Sequence, residues 1–152
     1  MTHLLTAFYE ALIVIGNFLK PLFLLAVRLF WGWQFFKTGL GKFADLESIT
    51  NYFATLGIPS PAINAMMAAT TETIGGLFLM LGFATRLISI PLIVTMLVAL
   101  FTAHAEATQM IWEDPTNFVT QLPFTFLFAA IITFVFGPGP ISIDALLKRR
   151  RM

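Results

Sequence analysis

Six ionisable side chains and one amide stand inside or at the ends of long apolar runs: Arg28, Gln34, Lys37, Lys42, Glu72, His104 and Glu106. Glu72 is the sharpest case. It interrupts "MMAATTETIGGLFLMLGF", residues 66–83, which is otherwise apolar enough to lie in hydrocarbon. A carboxylate at that depth costs about 2.5–3.5 kcal/mol even on lenient insertion scales. An isolated charge there is neutralised rather than tolerated. Glu72 is therefore expected either to find a cation in the interior or to give up its charge.

The elements that must position these residues follow from composition. The chain has 152 residues, 58% hydrophobic and only 11% charged, with a mean hydropathy of +0.85. A soluble domain carries about 25% charged residues, and a chain this short could not hide so much apolar surface in one core. An all-α integral membrane protein is the expectation. Four segments approach the ~20 residues that cross hydrocarbon: residues 21–42, 62–83, 87–105 and 118–136. Together they predict a four-helix antiparallel bundle within a membrane domain at 21–146. Residues 4–19 are apolar but contain Glu10 and meet Lys20–Pro21, which suggests a separate interfacial helix within an N-terminal segment, 1–20. A basic tail, 147–152, closes the chain. The start has no basic n-region and no A-x-A site, so no cleaved signal peptide is expected.

Between the first two spans, Leu46, Ile49, Tyr52, Phe53 and Leu56 recur at helical spacing, with Asp45 able to cap and Gly57 and Pro59 able to stop the helix. This predicts a short amphipathic helix on the bundle or in the interface. Arg86 and Lys148–Arg151 assign their end of the bundle to the cytoplasm, and with it both termini. Lys37 and Lys42 fall at the opposite end, which suggests local partners for them. Gly32, Gly39, Gly75, Gly76 and Gly82 are small enough to let helices approach closely.

At ~1.5 Å per residue, Arg28 lies ~10 Å and Glu72 ~16 Å from the inner ends of their spans, with Lys37 similarly offset on the outer side. Arg28 and Lys37 are thus the candidate counter-ions of Glu72. Two roles remain open for this polar column: a latch between spans one and two, or a proton-handling or ligand-binding centre. His104 and Glu106, near the depth of Lys37 and Lys42, could relay protons beside a quinone head group, because histidine titrates near neutrality. Trp31, Trp33, Phe30, Phe35 and Phe36 read as packing and lipid-facing aromatics, or as a wall for a planar lipid-soluble ligand.

Several chemistries are excluded. With no cysteine there is no disulfide, thiolate nucleophile, Cys-ligated zinc or iron–sulfur cluster. A metal site around His104 would have only Glu106 and Glu72 as further donors, and no paired-histidine spacing suits haem. No Walker loop, GxGxxG, HExxH or nucleophile elbow occurs, and no basic, aromatic-interleaved surface suggests nucleic acid. No residue can be named as catalytic.

"VRLFWGWQFFKTGLGKF", "FATLGIPSP", "TETIGGLFLMLGFATRL" and "FGPGPISID" occur in that order over about residues 21–146. Together they resemble the DoxX family. The resemblance implies a small four-helix protein of the bacterial or archaeal inner membrane, working with a partner redox protein or as a homo-oligomer. It supplies architecture more firmly than mechanism. The leading expectation is a membrane subunit of a redox complex that binds a quinone or similar ligand around Glu72 and Arg28. Any electron-carrying cofactor would sit on a partner. The alternative is a non-enzymatic assembly or anchor protein whose buried ion pair is structural. A small-solute or proton carrier fits less well, because the spans show no repeated halves or broken helices.

Overall fold

The structure, a computed structural model, describes residues 2–150, and every regular element among them is helical. The first helix, α1, runs unbroken from Thr2 to Ala44. At 1.5 Å per residue it is about 64 Å long, twice the thickness of bilayer hydrocarbon. From Leu5 to Ala44 it is, among the described residues, the one helix both long and apolar enough to cross a membrane by length and composition. The expected break at Lys20–Pro21 is therefore absent. Pro21 removes one backbone hydrogen bond, but no Gly or Asn terminator follows it, and apolar helix formers resume at once. Apolar helices tolerate such prolines. The described side chains between residues 5 and 19 are all exposed, so the first half of α1 projects beyond the rest of the molecule.

Three further long helices complete a bundle: α3 (Pro61–Leu81), α4 (Thr85–Phe101) and α7 (Leu122–Phe136). Between α1 and α3 lies α2 (Leu46–Thr55), and between α4 and α7 lie α5 (Ala105–Gln109) and α6 (Pro115–Thr120); α8 (Ile143–Arg149) ends the fold. The second half of α1 packs on α3 and α7, and α4 closes the ring between them. Neighbours in that ring are antiparallel. The third predicted span ends early, at Phe101, and the fourth is split at Gln121, whose backbone is extended (ψ 128°). Pro123 explains the split, because its ring would collide with the carbonyl of Val119 in a continuous helix.

The predicted amphipathic helix is α2. The Asp45 carboxylate accepts from the Ser48 amide at 3.1 Å, and Gly57 takes the left-handed conformation (φ +71°) past its end. Leu46, Ile49, Phe53 and Leu56 are half-buried while Tyr52 stays exposed, and α2 rests on α3.

In hydrocarbon, apolar helices gain little by hiding from solvent, so close packing and hydrogen bonds must hold them. Glycines set the α1–α3 contact. A Cβ on Gly32 would stand 2.8 Å from the Gly76 carbonyl, and one on Gly76 would strike the Phe36 amide. Farther along, one on Gly39 would meet Thr73. Gly75 faces the other way, against Leu92 of α4. Around these contacts Phe35, Leu79, Leu92, Met96, Phe126 and Ala130 form the core. The Phe35 and Phe126 rings meet edge to face at 4.5 Å, and Trp31 joins them at 5.2 Å from Phe126. Trp33 and Phe30 point outward, about half exposed.

Candidate functional site

The glycine contacts fix the register of α1 on α3, and the register decides which charges meet. Gly32 lies against Gly76 and Met80, and Gly39 against Thr73 and Ala69. One turn beyond Gly39, Lys42 arrives beside Glu72. The Lys42 Nζ–Glu72 Oε2 distance is 2.5 Å, with the glutamate side chain 3% exposed and the lysine side chain 23%. Among the described residues this is the one side-chain ion pair within 4.0 Å. The expectation that Glu72 needs an interior cation holds, but the cation differs.

Arg28 lies 14 residues earlier on α1, about 21 Å along the axis, at the other end of the bundle. The expected Arg28–Glu72 contact does not form. The depth estimate placed the inner end of span one at Pro21, whereas the helix runs straight past it and Arg28 itself is level with the end of α3. There the buried guanidinium donates from Nε to the Leu79 carbonyl at 3.2 Å, from Nη2 to Ile141 at 2.8 Å, and from Nη1 to Pro138. A guanidinium has five donors in a planar fork, and this one ties α1 to the end of α3 and to the α7–α8 connection. Gly82, at φ +65°, ends α3 beneath it. A Cβ there would stand 2.8 Å from the guanidinium carbon and 2.6 Å from Ser142.

Asp144, which has no role legible in the sequence alone, completes this cluster. Its carboxylate accepts from the Ala84 amide at 2.8 Å and the Thr85 amide at 3.0 Å, and its own amide donates to the Gly82 carbonyl at 3.0 Å. The start of α4 has Ala84 at the capping position, in a left-handed conformation and with no side-chain cap. Asp144 supplies the missing cap from α8, where a negative charge also suits the helix dipole.

The remaining candidates do not join either centre. Lys37 is exposed on α1 and is not the partner of Glu72. Gln34 is half-buried, and its backbone carbonyl accepts from Thr38 at 3.1 Å. His104 is half-buried at the start of α5, Glu106 is exposed two residues on, and the His104 carbonyl accepts from Thr108 at 2.9 Å. No three His, Asp or Glu side chains converge among the described residues.

The two ends carry different mixtures of charge, with Lys37 and Lys42 among the acids of one and Asp144 among the bases of the other. Lys20 stands 5.6 Å from the ring of Phe136, Arg86 donates to the Val135 carbonyl at 3.3 Å, and Lys148 lies beside Gly137–Gly139. With Arg28 these make one end basic. At the other end Asp45 and Asp114 cap α2 and α6, in the company of Glu106 and Glu113.

The model of the DoxX family matches residues 23–105, more than half of the chain. The chain belongs to the DoxX family. The matched part carries the α1–α3 glycine contact, Arg28, Lys42 and Glu72. This DoxX chain is 34% identical over 86 residues to the putative oxidoreductase CatD of Bacillus subtilis, an alignment covering 57% of this chain and 63% of that protein. It is 26% identical to the inner membrane protein YphA of Escherichia coli, over 82% of this chain and 90% of that one. An uncharacterized membrane protein of Mycobacterium tuberculosis is 27% identical, over 86% of this chain and 84% of its own length. No solved structure matches. The membrane setting of the family agrees with the exposed apolar surface of the bundle, where Leu87 (72%) and Phe101 (67%) face outward.

Proposed function

We propose that this DoxX chain is the membrane subunit of a redox assembly, and that a lipid-soluble ligand of the quinone class meets it at Lys42–Glu72. In this reading α1, α3, α4 and α6–α7 span a bacterial or archaeal inner membrane. The basic end faces the cytoplasm, as the positive-inside rule requires, and both ends of the chain lie on that side. The Arg28–Asp144 cluster fastens the bundle.

One observation carries the ligand assignment. The Lys42–Glu72 pair is a single contact between a buried acid and a partly open base, and among the described residues neither side chain has a second hydrogen-bond partner. A lysine ammonium has three donors and a carboxylate about four acceptor positions. The pair therefore retains the capacity to donate to a quinone carbonyl from Lys42 and to accept a proton at Glu72. The name of the CatD relative supports a redox setting, with the electron carrier on a partner. The competing reading, an anchor protein with a structural pair, is favoured by Arg28, whose donors are spent on carbonyls.

Short-tailed ubiquinone and menaquinone analogues, titrated into the purified protein in mild detergent, separate the two. Saturable quenching of tryptophan fluorescence that weakens at least tenfold in Glu72→Gln and in Lys42→Met is expected. Normal binding by both folded variants would return the pair to a structural role.

A further inference from the structure

We propose that the cleft at the basic end is a binding site for the phosphate headgroup of an anionic membrane lipid. It lies at the opposite end of the bundle from Lys42–Glu72 and does not depend on the ligand proposed there. The cleft encloses about 440 Å³ between the start of α4, the Gly137–Gly139 turn after α7, and α8. Its cations are Arg86 and Lys148. Arg86 makes a single weak bond, at 3.3 Å to Val135, which leaves most of its five donors free for phosphate oxygens. Lys148 has no ion-pair partner among the described residues. Lys20 adds a third positive charge beside Phe136, which lines the same cleft.

The cleft also holds one acid and one unpartnered hydroxyl. Asp144 lies in it, but both of its carboxylate oxygens already accept backbone amides of α4. Thr85, fully buried, contributes a hydroxyl with no hydrogen-bond partner among the described residues. The turn "GPG" forms a wall without long side chains. A Cβ on Gly137 would stand 3.3 Å from Arg86 Nε, so glycine keeps the guanidinium accessible.

The apolar surroundings specify a lipid rather than a free ion. Leu87 lines the cleft and is 72% exposed. Ile90 and Val94, also exposed, follow it at the i+3 and i+7 positions of α4, on the same face. This stripe leads from the cleft toward the middle of the bundle, where an acyl chain would lie once its phosphate is held at the basic end. A basic pocket beside membrane helices is the expected setting for such a headgroup.

Native mass spectrometry of the full chain in neutral detergent, titrated with phosphatidylglycerol or phosphatidylcholine, tests this. One phosphatidylglycerol per chain is expected to bind saturably, at least tenfold more tightly than phosphatidylcholine. Arg86→Gln and Lys148→Gln should each weaken it about tenfold, as loss of one charge-assisted contact implies. Arg149→Gln removes a neighbouring charge that does not line the cleft and should leave binding within twofold. Because Lys148 sits on exposed α8, its variant remains informative if Arg86→Gln fails to fold. Equal binding of the two lipids would overturn the proposal, as would normal binding by Lys148→Gln. Equally strong binding of inorganic phosphate alone would reassign the cleft to a free anion and overturn the lipid.

Discussion

The two ends of the bundle solve the cost of a buried charge in different ways. Arg28 is 1% exposed and spreads its donors over three carbonyls, one at the end of α3 and two in the α7–α8 connection, with Asp144 close enough to act on it electrostatically. Glu72 is almost as deeply buried but has one partner, and that partner is partly open. A charge whose every nitrogen is held by a backbone carbonyl fixes geometry and has little left to offer. A charge with a single, accessible partner can exchange it. The contrast separates a charge tied at every nitrogen from a charge with one partner within one small bundle, although both begin as an ion in an apolar helix.

Breaking the fastener should have the largest effect. Arg28→Leu takes the guanidinium from three carbonyls; Leu79 keeps the Gly82 amide, but Pro138 and Ile141 lose their donor, at about 1–3 kcal/mol for each group left unsatisfied. A total loss of about 3–5 kcal/mol is expected in thermal unfolding in mild detergent. Arg28→Lys should recover little, since an ammonium on a flexible stem cannot replace a planar fork. A fully stable Arg28→Lys would show that charge rather than geometry matters at this end.

The next effect concerns the helix contact that both ends share. A Cβ at Gly76 meets the backbone of Phe36 and Gly32 rather than a movable side chain. Gly76→Ala should therefore cost about 1–3 kcal/mol, as overpacking does, and should loosen Lys42 from Glu72. If its melting temperature is unchanged, the α1–α3 register argued from the glycines is wrong.

That register also explains what could be read from the sequence and what could not. Helix identity was legible, because apolar runs and the Asp45 and Gly57 signals of α2 are local. The need of Glu72 for a cation was legible too, since it follows from the cost of burial. The choice of Lys42 over Arg28 and Lys37 was not. It depends on how far α1 slides along α3: Lys37 and Lys42 stand five residues, about 7.5 Å, apart, so an error of little more than a turn changes the partner. Counting from Pro21 supplied such an error, because a proline in an apolar helix need not end it. Asp144 was illegible as a cap for another reason: it lies 59 and 60 residues from the amides it serves, and only the folded α7–α8 connection brings it there.

Smaller changes refine the comparison. Asp144→Asn keeps a hydrogen-bonding oxygen but loses the charge at the start of α4, which should cost about 1 kcal/mol. Asp144→Ala should cost about 2 kcal/mol, because two amides then go uncapped. Thermal unfolding of the two variants side by side checks this, and an equal loss in both would mean that the cap works by charge alone.

The last prediction separates stability from function at Lys42–Glu72. Removing one partner, as in Glu72→Ala, leaves a lysine that is already 23% exposed. Its stem can carry the ammonium toward the surface, so the loss should stay near 1–2 kcal/mol rather than the 3–5 of a fully enclosed pair. Replacing both partners with apolar residues, as in Lys42→Met with Glu72→Leu, removes the desolvation cost altogether, and such swaps are often neutral or stabilising. The double variant should therefore melt within about 1 kcal/mol of the native chain and bind no quinone analogue. A double variant that unfolds like Arg28→Leu would make Lys42–Glu72 a second fastener and end the contrast between the two ends. A stable double variant that has lost ligand leaves the pair without a structural reason to exist, and its position in the bundle is then explained by the ligand it meets.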